Sequence, residues 1–102
     1  MKLARRRYLR VEAIPEDGGE IPIKPLRETV ETLFKELFGA AASAKASLKA
    51  WSIAPNSYIF SIDHRYVLEL VSAITLTREV EGKRVSLTVY RIAGTLKRAL
   101  GE

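Results

Sequence analysis

At 102 residues, 47% hydrophobic and 28% charged, the chain is sized for one domain, residues 1–102, around one core, and is too apolar for intrinsic disorder. It has no Cys, which excludes disulfides and thiolate metal sites and suits a cytoplasmic location; no apolar run is long enough for a membrane span, and MKLARRRYLR lacks the apolar stretch of a signal peptide. The formal charge of +5 divides into +5 over residues 1–10, −4 over residues 11–81 and +4 over residues 82–102, and two basic ends around an acidic middle point to a polyanionic partner.

Arg7–Ala13 alternates Leu9, Val11 and Ala13 with Tyr8, Arg10 and Glu12, which predicts a first strand with Tyr8 and Arg10 facing outward. Pro15, Asp17, Gly18, Gly19 and Pro22 make Ile14–Lys24 a loop. A first helix is expected from Pro25 to the stop at Gly39. Its stripe of Leu26, Val30, Leu33, Phe34, Leu37 and Phe38 has the spacing of a core-facing helix, and burial of such a stripe is worth on the order of 10 kcal/mol before entropy. Ala40–Ala46 reads as a connector or a loose helical turn, whose alanines form a contact patch if exposed.

Ser47–Ile53 and Ser57–Asp63 read as two strands joined at the turn-forming Ala54-Pro55-Asn56-Ser57. Tyr58, Phe60 and Ile62 share one face of the second strand; Trp51 shares a face with Lys49 and Ile53, and parity alone leaves the direction of that face open. A second helix is expected from about Arg65 to Thr77, with Asp63 or His64 near its start and Val67, Leu70, Val71 and Ile74 as its core stripe. Leu68, Ser72 and Leu76 project off that stripe. That second side suggests a protein partner, with a bent sheet or the terminal helix as the alternative cover.

Glu79–Arg84 is a charged turn containing Gly82, and Val85–Tyr90 alternates as a strand with one wet face. Gly94 then frees the backbone, Thr95 is a suitable N-cap, and Lys97 and Arg98 sit on a short terminal helix. The order β-α-β-β-α-β-α gives an α+β fold: a ferredoxin-like or RRM-like split βαββαβ with a four-stranded antiparallel sheet and an extra short C-terminal helix. In that topology the first and last strands are neighbours, so the two basic ends would pool into one RNA-facing surface.

Enzyme chemistry is poorly represented. One His and no Cys exclude a zinc centre or a Cys/His nucleophile, and His64 beside Asp63 is more often a helix-start residue than an acid–base pair. No Gly-rich phosphate loop occurs, and Glu16, Asp17 and Glu20 in the first loop argue against an acylphosphatase-like anion cradle. A sheet-surface reader of single-stranded RNA is weakly supported, with Tyr8 and Tyr90 as its aromatics, whereas abundant Arg and Lys favour phosphate and shape recognition of folded RNA. The alternative from another class is a protein–protein adaptor whose basic ends meet an acidic partner.

RRRYLRVEA at 5–13, LFKELFG at 33–39, HRYVLELVSAITL at 64–76 and VYRIAGTLKRA at 89–99, in this order, together resemble the archaeal ribonuclease P protein component 2 family. The resemblance implies a non-catalytic subunit of the ribonucleoprotein that removes the 5′ leader from precursor tRNA. It implies no cofactor on this chain and magnesium on the RNA. The implied partners are the ribonuclease P RNA, precursor tRNA and the TIM-barrel component 3 subunit, with self-association of this chain inside a heterotetramer. The RNA-binding candidates are Arg5, Arg6, Arg7, Tyr8, Arg10, Arg91, Lys97 and Arg98. The protein-interface candidates are Leu68, Ser72, Leu76, Ala41 and Ala42.

Overall fold

Strand β1, Arg6–Pro15, buries Leu9, Val11 and Ala13 on one face, as their alternation requires. The computed structural model describes residues 5–101; Lys2 and Glu102, which add to the charge of the two ends, lie outside the described residues. β1 is central. It pairs antiparallel with β3, Ser57–Asp63, on one side and with β5, Lys83–Ala93, on the other. β2, Lys49–Ala54, extends the sheet beyond β3, and β4, Glu79–Val80, extends it beyond β5, giving the order β2-β3-β1-β5-β4.

Among the described residues the sheet thus has five strands, one more than expected. The extra strand comes from the charged turn: Glu81 and Gly82 both take positive φ, 49° and 81°, the backbone of a tight two-residue hairpin, and this pairs Val80 with Lys83. The β2–β3 connection is a turn at Asn56, which also takes positive φ. The Asn56 side chain accepts the Ile21 N–H at 2.9 Å and donates to Gly19 O at 3.0 Å, pinning the loop that follows β1.

Helices α1, Ile23–Phe38, and α3, Val67–Leu76, cover one face of the sheet. Leu26, Val30 and Phe34 of α1 and Leu70, Ala73 and Ile74 of α3 join Leu9, Val11, Tyr58, Phe60, Ile62, Val85 and Leu87 in one buried cluster. The full stripe expected on α1 is not buried: Leu37 and Phe38 stay 45% and 37% exposed. The helix stops at Gly39, φ 96°, so these two side chains lie past the last buried turn, Phe38 with its ring edge on Phe34. Ala40–Ala46 forms a further helix, α2, with Ala46 buried and Ala42 packed against the core.

β3 departs most from expectation. All seven of its residues are buried, because the second face of the sheet is covered too. Ile59 on that face packs with Ala93 and with Ala99 of α4, Leu96–Ala99, flanked by Tyr8, Trp51, Ile53 and Leu100. A four-residue helix cannot hold itself. It is held by the seat of Ala99, 0% exposed, and by Thr95, whose side-chain oxygen accepts the Arg98 N–H at 3.2 Å.

A 3-10 turn, His64–Tyr66, leads into α3. The Arg65 side chain donates to both oxygens of Asp63, at 3.0 and 3.1 Å, and the Arg65 backbone N–H donates at 2.9 Å. The guanidinium first and the backbone N–H second hold the Asp63 carboxyl well below the usual range, at about 2. His64, the neighbour of this carboxylate, is exposed and adds a smaller attraction of the same sign.

Two outcomes test this packing. Phe60→Ala should cost about 3–5 kcal/mol in urea unfolding, whereas Leu68→Ala on the open side of α3 should change stability by no more than about 0.5 kcal/mol. Because the Asp63 carboxyl has a lower pKa folded than unfolded, its contribution is present above pH 3.8 and is lost as pH falls toward about 2. Stability measured across that range should therefore fall less steeply for Asp63→Asn than for the parent chain.

Candidate nucleic-acid interface

The register between β1 and β5 places Arg10 directly opposite Arg91. Strict alternation along β5 would put Arg91 on the same face as Val85, Leu87 and Val89, toward the helices. A bulge prevents this: the pairing shifts between Arg10 and Val11, leaving Tyr90 as an extra residue. Beyond the bulge Arg91 and Ala93 lie on the face that carries Tyr8 and Arg10, and the Tyr90 ring reaches that face too, with the Arg10 guanidinium 5.6 Å from its centroid.

Both guanidinium groups then meet the end of the chain. Arg10 Nη1 donates to Leu100 O at 3.3 Å, and Arg91 Nη1 donates to Arg98 O at 3.0 Å. Leu100 O, just past α4, and Arg98 O, which also accepts the Gly101 N–H at 3.0 Å, carry the partial negative charge of a helix C-terminus, so two cations there draw α4 onto the sheet. Arg10 Nε is buried and lies 3.7 Å from Glu12 Oε2, while the same carboxylate oxygen accepts from Ser57 Oγ at 2.7 Å. Glu12 thus offsets part of the Arg10 charge at one end of the surface.

The expected residues are only partly brought together. Arg10, Arg91, Lys97 and Arg98 share the region around α4, the latter two exposed. Arg6 shares the parity of Arg10, but its guanidinium is occupied by Ser61 Oγ at 2.8 Å and Ser47 O at 2.6 Å, a brace between β1, β3 and the C-terminal end of α2. Arg7 pairs with Ile62 and has the parity of Leu9, so it belongs to the other face; its Nη1 donates to Arg6 O at 3.2 Å. Arg5 precedes β1 and is exposed, its carbonyl accepting the His64 N–H at 2.9 Å. Tyr8 is half-buried against the Ile59–Ala93–Ala99 cluster instead of standing free. One positive region exists around α4, but it does not include every arginine of the N-terminal run.

Sequence reasoning left two neighbours of this surface, Trp51 and Lys49, unassigned and named a third, Tyr90, only as an aromatic of the less favoured single-strand reader. Trp51 and Lys49 lie on the α4 face, because their pairing partners Ile59 and Ser61 do. Tyr90 is 62% exposed. The parity of Lys49, Trp51 and Ile53 was visible. Its direction required knowing that Ile59 is buried away from the main core.

The opposite side differs in charge. A groove between α1 and β4 has Leu33 and Leu76 among its apolar lining and Glu28, Glu36, Glu79 and Glu81 around it, with Arg78 as a basic member. Leu68 and Leu76 are 78% and 54% exposed, so α4 does not cover them. Ser72 is half-buried, its hydroxyl returned to Leu68 O at 3.1 Å. Of the two alanines expected at an interface, Ala41 is exposed but Ala42 faces the core. Among the described residues no group of three or more His, Asp or Glu side chains is placed to hold a metal, and no helix is long and apolar enough to cross a membrane.

No curated relative matches the sequence. Among solved structures, a chain in the cryo-EM structure of yeast ribonuclease MRP superposes with a TM-score of 0.71 at 10% identity, over 94% of this chain and 79% of that one. At that identity the likeness is one of fold. The profile of the Rpp14/Pop5 family matches residues 7–102, which span β1, the bulged β5 and α4. The chain belongs to the Rpp14/Pop5 family of ribonuclease P protein subunits.

Proposed function

We propose that this chain is a protein subunit of a ribonuclease P-type ribonucleoprotein, supporting the RNA that removes 5′ leaders from precursor tRNA. The observation that carries the reading is the pairing of Arg10 with Arg91 beneath α4, which gathers cations from both chain ends on the face turned away from α1 and α3. The protein's part is electrostatic. Crowded RNA backbones repel each other, and each phosphate met by an Arg or Lys releases condensed counterions, which favours the compact RNA. Magnesium held by the RNA supplies the cleavage chemistry, and this chain contributes no catalytic side chain.

Lys97, Arg98 and Arg91 are the principal phosphate contacts in this reading, with Arg10 partly committed to α4 and Glu12, and Arg5 exposed at the neighbouring edge. The acidic rim of the α1–β4 groove and the exposed leucines of α3 favour protein partners on the other side. Leu68 and Leu76 would be buried by the component 3 subunit or by a second copy of this chain. The likeness to a chain of yeast ribonuclease MRP supports placement in an RNA–protein assembly. We read the four long strands with α1 and α3 as an elaborated split βαβ, in which β4, α2 and α4 are additions.

Lys97→Ala combined with Arg98→Ala should weaken binding to ribonuclease P RNA and flatten the log–log salt dependence by about 1 for each phosphate no longer neutralised. Lys35→Ala, on α1, should leave both unchanged. The readout is binding by filter retention or gel shift across a salt series. Unaltered affinity and slope in the double variant would remove α4 from the RNA interface.

A further inference from the structure

We propose that Tyr90, with the guanidinium groups of Arg10 and Arg91, forms a subsite for one unpaired RNA nucleotide, the base stacked on the ring and the phosphate on Arg91. This deepens the RNA-binding reading above and rests on it. Phosphate contacts fix register and carry no information about strandedness. An aromatic ring does, because a base can stack on it only when its face is free of its own helix.

Three observations converge on Tyr90. First, it is the extra residue of the bulge: alternation with Ser86 and Thr88 sets Tyr90 on the face of Arg10, and the break in the β1–β5 ladder brings Arg91 to the same face beside it. Bulges recur where a strand re-aims a side chain toward a functional site. Second, the ring is 62% exposed while Ile59, opposite Arg10 on the neighbouring strand, is 0% exposed. Tyr90 therefore adds little to the cluster that seats α4. Third, the Arg10 guanidinium over the ring, 5.6 Å from its centroid, steadies it by a cation–π contact while the residue as a whole stays largely exposed. Arg91 is the next residue and donates through Nη1 to Arg98 O, which leaves further N–H donors of its planar group for a phosphate.

Tyr8 and Trp51 do not provide the same site. Both are packed against Ile59, Ala93 and Ala99, so less of each ring is free to receive a base. Tyr90 is more exposed than either. The ligand class is therefore single-stranded RNA, read for the presence of an unpaired base and not for its identity, since every base has a π-face.

The test uses the full chain and two probes: an unstructured oligoribonucleotide carrying one 2-aminopurine, and a duplex of the same length. The parent chain should quench the 2-aminopurine emission on binding. Tyr90→Ala should weaken single-strand binding by about five- to hundredfold and abolish the quench without altering the salt slope. Tyr90→Phe should behave as the parent, and duplex binding should be equal in all three. Tyr90→Leu, which keeps apolar bulk in the strand but lacks a π-face, should match Tyr90→Ala and guards against a folding defect. If Tyr90→Leu binds and quenches like the parent, the subsite is overturned, while a flattened salt slope in the Lys97→Ala, Arg98→Ala chain would leave the phosphate surface standing. If the parent binds no RNA of either kind, both readings fall, and Tyr90 is then a contact for a protein partner.

Discussion

The hydrogen-bonded pairing of β1 with β5, interrupted by one extra residue at Tyr90, is the constraint on which the rest of this surface depends. It joins the two ends of the sequence that carry the positive charge. It also decides which way that charge points. Without the bulge, Arg91 would follow Val85, Leu87 and Val89 toward the helices, where burial of an unpaired guanidinium is strongly unfavourable. With it, Arg91 and Arg10 stand on the same side, their repulsion relieved by two carbonyls at the end of α4. The terminal helix is thus both a consequence of the register and the element that makes the register tolerable.

A sheet covered on both faces follows from the same arrangement. The main core lies under α1 and α3, and the smaller one consists of Ile59, Ala93 and Ala99 with aromatic and aliphatic neighbours. This second core is too small to stabilise α4 by burial alone. Polar contacts at both helix ends contribute as well, with Thr95 at the start and Arg10 and Arg91 at the finish. Local charge differs between the groove and the α4 face. Acidic side chains surround the groove beside α1, and basic ones surround α4. Such a division suits a subunit that meets RNA on one side and protein on the other.

Much of the main core was legible in the sequence because it is periodic. Leu9, Val11 and Ala13 alternate, Tyr58, Phe60 and Ile62 alternate, and Leu70 and Ile74 recur at helical spacing; all are buried. Thr95 was readable as a cap from local chemistry alone. What escaped was non-local. Ile59 lies on the face away from Tyr58, Phe60 and Ile62, and its burial draws on Ala93, on Ala99 of the returning α4 and on aromatic neighbours. The side chosen by Trp51 depends on that same return. The bulge leaves no mark in the apolar pattern of Val85–Tyr90, since the break occurs after the last alternating residue. The short β4 depends on positive φ at Glu81, a residue type that does not announce it. Leu37 and Phe38 fitted the stripe of α1 but lie beyond the reach of the core.

Arg10 and Arg91 each help to hold α4 in place, so a chain lacking either loosens the seat of Lys97 and Arg98 as well as losing its own charge. Reduced RNA affinity in such a chain would not separate a missing phosphate partner from a displaced helix. Lysine in their place would keep the charge but not the forked geometry that serves a carbonyl and a phosphate at once. Lys97 and Arg98, by contrast, present exposed side chains on a helix anchored by its neighbours Thr95 and Ala99. The role of the basic face is therefore decided at those two positions, where charge can be removed while the scaffold that displays it stays intact.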